Sequence, residues 1–171
     1  MIDIRQLDGG ETRHHITSLA AVLADCVCGG ASVSFMLPFT QTDAEAYFHR
    51  IAAEVERNER ILLAAFLDSE LAGTVQIATA TPPNQPHRAD IAKLLVHRRA
   101  RSRGIGELLM RQAEEVSRQE GKSLLVLDTA TGGAAERLYS RLGWTRVGVI
   151  PGYALYPDGS SGDTTFFYKN L

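Results

Sequence analysis

Between residues 89 and 121 the chain changes its period in mid-course. The run 89-ADIAKLLV-96 suits a β-strand, while Ile105, Leu108, Leu109, Gln112, Ala113 and Val116 trace one face of a helix that Gly121 closes. The six residues that lead into the helix, 101-RSRGIG-106, hold two glycines and two arginines. A glycine-rich turn at the mouth of a helix leaves several amides without intrahelical partners, all aimed outward from the positive end of the helix dipole. Such a junction suits an anion, phosphate above all, with Arg98, Arg99, Arg101 and Arg103 adding charge around it. Taken alone, the six residues suit a plain tight turn with solvated arginines equally well.

The flanking sequence supplies a sheet for that strand. The alternation in 2-IDIRQL-7 predicts a half-buried strand, and a single helix is expected from about Glu11 to Cys28, stopped by 29-GG-30. The stretch 31-ASVSFMLPF-39 reads as a loop with one short helical turn. A capping box at 42-TDAE-45 opens a second helix with the stripe Ala44, Tyr47, Phe48, Ile51, Ala52 and Val55. The runs 61-ILLAAFLD-68 and 71-LAGTVQIATA-80 predict a hairpin around Ser69-Glu70, and 81-TPPNQPHR-88 is a surface loop. After the junction come a buried strand at 123-SLLVLD-128, a helix over 134–142 with Gly143 as its cap, and closing strands at 144–150 and 164–170 around the turn 157-PDGSSG-162. A meander of strands followed by alternation with helices implies an α/β or α+β single domain over residues 1–171, a mixed sheet with helices on both faces.

Composition narrows the function classes. A chain of 171 residues can bury one ordinary core, and no apolar run approaches the roughly 18 residues of a membrane span. The N-terminal MIDIRQLDGGETRHH has neither the basic start nor the apolar core of a signal peptide, so the expected compartment is the cytoplasm, with no membrane partner. A net charge of -2 provides no general pull toward nucleic acid, so any anion site is local. Cys26 and Cys28, two apart on a helix, diverge and do not bridge; they read as buried free thiols on an outer helix, away from the loop. The five histidines show no metal-ligand spacing, so no metal is expected.

Three anion sites compete at the junction. A P-loop requires a Gly-Lys-Ser or Gly-Lys-Thr that the chain lacks, and the dinucleotide fingerprint fails because position 109 is Leu and the motif follows a hairpin. The third pattern, Arg/Gln-x-x-Gly-x-Gly/Ala after a strand ending in hydrophobic-x-Val, fits 94-LLVHRRARSRGIGELLM-110. It resembles the acyl-CoA pyrophosphate loop of the GNAT superfamily of N-acetyltransferases. The expected order of elements resembles that superfamily too, and 135-AERLYSRLGWTRVG-148 is similar to its Ala-x-x-x-Tyr-x-x-x-Gly-aromatic motif. Two departures stand out: Arg98 replaces a common proline, and Gly132 replaces an asparagine often seen seven residues before the tyrosine. A narrower likeness, in GGASVSFM, AKLLV, LDTATG and PGYALYPDG, is to the tabtoxin-resistance type within the superfamily, which acts on an amino-acid-like β-lactam toxin.

The resemblance implies a six- to seven-stranded, mostly antiparallel sheet and acetyl-CoA as cofactor. It implies that backbone groups of Leu94, Leu95 and Val96 pair with the pantetheine arm, and that the amides of Arg101, Ser102, Arg103, Gly104, Ile105 and Gly106 hold the pyrophosphate. Tyr139 matches the tyrosine that protonates the leaving thiolate. Asp128, at the end of an apolar strand, and Asp90, before the loop, are candidates to accept the amine proton; capping or salt bridging explains either equally. Ser34, Phe35, Met36 and Tyr153 fall where the acceptor side is walled, and simple packing or turn roles also suit them. The implied reaction is direct attack of a small amine on the thioester, by a monomer or homodimer. A protein N-terminal or lysine acetyltransferase and a non-catalytic acyl-CoA sensor are the alternatives.

Overall fold

Residues 1–171, all of which the computed structural model describes, build a seven-stranded sheet in the order β1-β2-β3-β4-β5-β7-β6. Its strands are β1 (Ile2–Leu7), β2 (Arg60–Leu67), β3 (Glu70–Ala78), β4 (Arg88–Val96), β5 (Leu124–Ala130), β6 (Thr145–Leu155) and β7 (Ser161–Asn170). The helices are α1 (Gly9–His14), α2 (Ile16–Cys28), α3 (Gln41–Glu56), α4 (Ile105–Gln119) and α5 (Ala134–Arg141). Alternate residues of β2 feed two cores. Leu62, Ala64 and Phe66 pack with α2 and α3 residues such as Leu19, Leu23 and Phe48, whereas Leu63 and Ala65 join Leu109, Met110, Leu125, Leu127 and Phe167 beneath α4 and α5. A strand buried on both faces is apolar throughout, which is why β2 and β3 read as unbroken hydrophobic runs.

Several local expectations are corrected. The single helix from Glu11 to Cys28 is two helices, because the backbone leaves helical geometry at His15, whose ring packs edge-on against Phe66. The break lets α1 lie against α3 while α2 lies on the sheet. Asp8 and Glu11 form a capping box that starts α1 earlier than the apolar pattern indicated. For α3 the cap is Thr40 with Asp43 rather than Thr42 with Glu45: the extended backbone ends at Thr40, and Glu45 instead accepts from the Gln41 amide. The hairpin turn is Asp68-Ser69, both at positive φ (49° and 71°), the geometry that matches strand twist; Glu70 already belongs to β3. The 31–39 loop holds bends and no helical turn. Cys26 is buried as expected, but Cys28 is exposed.

One polar cluster ties the back of the sheet together. Buried Glu114 of α4 accepts from Trp144 Nε1 at 2.9 Å and from Lys169 Nζ at 2.7 Å, and Lys169 also donates to the Leu142 carbonyl at 2.7 Å. These bonds pin α4 and the end of α5 to β7.

The feature that makes a site is a gap. β4 and β5 are parallel, joined by the α4 crossover, and pair only where Arg88, Ala89 and Asp90 face Leu124, Leu125 and Val126. Beyond Asp90 the strands part, leaving the facing edges of both without a partner strand.

Candidate active site

The gap opens directly onto the 101–106 junction. Gly104 stands at φ 80° as the cap of α4, and Ser102 is also left-handed at 60°. Alternation of this kind turns successive amides toward one point. The amides of Ser102, Arg103, Gly104, Ile105, Gly106 and Glu107 have no acceptor in the chain; the first amide answered is that of Leu108, by the Gly104 carbonyl. A row of unanswered donors at the positive end of a 15-residue helix fits a diphosphate.

The four arginines divide. Arg98 is held by Asp25, whose carboxylate also accepts the Arg98 amide at 2.9 Å, and Arg99 is tied to Glu70 and the Leu71 carbonyl. Arg98 and its backbone hydrogen bond hold the Asp25 carboxyl below its ordinary range, against the opposing effect of burial. Neither arginine is free for a ligand. Arg101 donates from Nε to the Val96 carbonyl at 3.0 Å, and Arg103 makes no ion pair. Here the structure overturns the placement of Cys26. Its Sγ lies 3.6 Å from the Val96 carbonyl and 3.8 Å from Arg101, directly against the loop. Burial raises the thiol's pKa, so it stays protonated and inert as a packing group.

On the β4 wall, the His97 amide donates to the Ala72 carbonyl, and Val96 pairs with Gly73. This register turns the Val96 N–H away from β3 and toward the gap. An added residue between the Thr74/Leu95 and Gln76/Ala92 pairs forms a bulge, with Lys93 left-handed at φ 52°. The bulge carries Lys93 to the α2–α3 loop, where its Nζ lies 3.1 Å from Ser34 Oγ and over the Phe35 ring. Burial lowers the Lys93 pKa, with Arg60 adding to the effect and Asp128 opposing it.

On the β5 wall, Asp128 lies inside the strand rather than at its end, opposite Phe166 of β7. Its side is open to solvent, yet enough protein surrounds it that desolvation raises its pKa, Lys93 opposes the rise and Asp90 adds to it. Asp90, the last residue of the paired stretch, is bound at 2.6 Å by Arg88. Tyr139 of α5 is only 5% exposed, its ring between Trp144 and Phe167. No group of the protein hydrogen-bonds its hydroxyl, and burial, reinforced by the Asp128 charge, pushes its pKa far up. It is therefore a phenol, able to donate, at every physiological pH.

Two distant segments meet beside this wall. The Leu37 amide donates to the Pro157 carbonyl at 2.9 Å, and Ser32 Oγ to the Leu155 carbonyl at 3.2 Å, so the 31–39 loop rests on the β6–β7 hairpin. Ser34 and Phe35 come together here with Lys93, and Tyr153 packs edge-on against Phe166, the cross-strand neighbour of Asp128. Met36 is 45% exposed on the same loop and touches none of these groups by a polar contact.

Sequence reasoning missed Lys93, along with Tyr47, Gln76 and Arg60 behind it. Gln76 Oε1 accepts from Tyr47 and Arg60, and its buried Nε2 has no partner. A signal for Lys93 existed in AKLLV: a charge inside an apolar strand is costly unless something re-aims it. A concavity of about 910 Å³ lies elsewhere, against α1 and the start of β2, and meets this cluster only through Arg60.

Residues 9–144 match the family model of the acetyltransferase (GNAT) family. The chain belongs to that family, and with it the acetyl-CoA-dependent acyltransferases. Solved structures share the fold end to end. A GNAT-family acetyltransferase from Streptococcus pneumoniae is 23% identical with a TM-score of 0.80, each chain covered in full. A ribosomal-protein-alanine N-acetyltransferase from Brucella melitensis is 21% identical with a TM-score of 0.82, covering 99% of both chains. An acetyltransferase from Salmonella typhimurium, solved with its cofactor acetyl-CoA, is 18% identical with a TM-score of 0.81, covering all of this chain and 94% of its own.

Proposed function

We propose that the protein transfers an acetyl group from acetyl-CoA to the amine of a small, amino-acid-like or antibiotic- or toxin-like acceptor, by direct attack and in the manner of the tabtoxin-resistance type. The observation that carries the small-acceptor reading is the bridge from Leu37 to Pro157, which ties the 31–39 loop to the β6–β7 hairpin and so stands in the way of a polypeptide. A protein N-terminal acetyltransferase is the principal rival, and an acyl-CoA sensor the other. The sensor reading leaves the free Tyr139 hydroxyl and the costly Asp128 carboxylate without a purpose.

Bound acetyl-CoA supplies the acetyl group and the thiol that leaves. The amides of Ser102 to Gly106 hold its diphosphate, without that of Arg101, which donates to the Arg98 carbonyl; the free edge of Leu94 to Val96 takes the pantetheine arm, and the Val96 N–H donates to the acetyl oxygen. Asp128 accepts the proton that the amine loses. Its raised pKa makes it a better base than an ordinary carboxylate, whereas Asp90, paired with Arg88, acts through its charge on Asp128. Tyr139 gives its proton to the departing sulfur. Ser34, Phe35 and Tyr153 wall the acceptor, and Met36 lies at the rim. The reaction runs in the cytoplasm, in a monomer or homodimer of this 171-residue domain.

Thiol release from acetyl-CoA across a panel of small amines and peptide N-termini tests this reading. Turnover confined to small amines supports it; preferential turnover of peptides, or binding of acetyl-CoA with no turnover on any amine, overturns it.

A further inference from the structure

Lys93, on the β4 wall of the gap, has no carboxylate to answer it. Arg60 has Glu54, Arg88 has Asp90 and Arg98 has Asp25, but the nearest polar contact of the half-buried Lys93 ammonium is the Ser34 hydroxyl. Asp128, across the gap, is close enough for each charge to move the other's titration, yet the two do not form an ion pair. Desolvating an ammonium without a counter-ion is unfavourable, and here the backbone also adopts left-handed geometry at both Lys93 (φ 52°) and Ser34 (φ 78°) to bring the two groups together. Strain at two non-glycine residues, spent on placing an unpaired cation opposite an unpaired anion, describes a space for a molecule carrying both charges.

We propose that Lys93 and Ser34 form an anion subsite that binds the carboxylate of the acceptor while its amine faces Asp128, so that the enzyme selects zwitterionic α- or β-amino acids and their analogues. The proposal rests on the small-acceptor reading above and names its substrate class. The ammonium keeps donors free beyond the Ser34 contact, enough for a carboxylate oxygen, and the Phe35 ring faces it at 5.8 Å. Selection follows from charge: the same molecule with a neutral carboxamide leaves the half-buried ammonium without a counter-ion.

The test uses amino acids in matched pairs with their carboxamides, measured by thiol release with wild type and Lys93→Met, each variant's fold being checked by its affinity for CoA. In wild type the carboxylate member is favoured in kcat/KM by roughly 10- to 150-fold, the worth of one charge-assisted hydrogen bond. In Lys93→Met that ratio falls to near one. A wild-type preference for the carboxamide, or a ratio that survives the substitution, overturns the subsite. A second readout needs no turnover. The chain has only three lysines, Lys93, Lys122 and Lys169, so an NMR spectrum of lysine side-chain-labelled protein saturated with CoA assigns Lys93 by its loss in Lys93→Arg. Saturable movement of that signal by the amino acids and not by the carboxamides supports the subsite, even where thiol release fails and the acetyltransfer reading falls with it. A signal that no amino acid in the panel moves overturns the subsite by itself, even where small amines are turned over.

Discussion

Gly104→Ala isolates the cost of the anion-binding turn. An added Cβ at Gly104 meets nothing within 4 Å, so no clash contributes, and the penalty is that of holding an alanine at φ 80°. That penalty is about 1–2 kcal/mol, or roughly 5- to 30-fold in an equilibrium. Where it falls depends on the loop. If the turn keeps its shape without ligand, unfolding becomes easier by the whole amount and CoA affinity is unchanged. If the turn relaxes when empty, stability is spared and CoA binds up to about 30-fold more weakly, because the strain must be restored on binding. The losses in unfolding and binding free energy, from chemical denaturation and calorimetric titration with CoA, therefore sum to about 1–2 kcal/mol. Gly106→Ala is the control. Its Cβ would make an ordinary contact with Leu138 at 3.4 Å, and alanine is the better helix former by about 1 kcal/mol, so this variant is at least as stable as wild type. Two outcomes refute the reasoning: Gly104→Ala indistinguishable from wild type in both measurements, or Gly106→Ala destabilised as much as Gly104→Ala.

Three further outcomes follow from the site and its frame. Tyr139→Phe lowers kcat by about 10²- to 10⁴-fold while leaving the unfolding midpoint within error, since the hydroxyl has no partner in the fold to lose. Asp128→Asn lowers turnover by a similar factor of about 10²–10⁴ yet raises the Tm at pH 7. Burial raises the folded pKa of Asp128 above its unfolded value, so the stability it lends is full below the unfolded pKa and is lost as pH rises through the folded one; at neutral pH its charge is a burden that asparagine removes. A Tm that falls at pH 7 contradicts this. Glu114→Ala strands the Lys169 ammonium and the Trp144 N–H and costs about 3–5 kcal/mol in denaturant unfolding; a loss below 1 kcal/mol would show that water replaces the carboxylate.

The order of elements was legible because hydrophobic period and glycine stops are local signals. Gly121 and Gly143 both stand at positive φ just past α4 and α5, where the reading of helix stops put them. Errors arose where two local solutions were equally good. Both 40-TQTD-43 and 42-TDAE-45 spell a capping box, and only the point at which the extended chain ends selects Thr40. The helix break at His15 has no glycine or proline to mark it, since it answers to the packing of α1 on α3. The junction at 101–106 was legible as a turn of unanswered amides, but not the division of its arginines, because Asp25 and Glu70 are remote in sequence. Cys26 was misplaced for the same reason: α2 crosses the sheet to the end of β4, a tertiary fact that periodicity does not encode. Lys93 stayed hidden because a bulge changes which way a side chain faces, and the sequence does not mark where the bulge falls.

In the proposed reaction, main-chain donors from Ser102 to Gly106 grip the diphosphate of the coenzyme. Parallel calorimetric titrations with CoA and with pantetheine, which keeps the arm and the thiol but carries no diphosphate, measure that grip. Saturable binding of CoA, with pantetheine at least about 100-fold weaker, is the expected result, since two or more charge-assisted hydrogen bonds are removed together. Equal affinity for the two, or no uptake of CoA by folded protein, contradicts it.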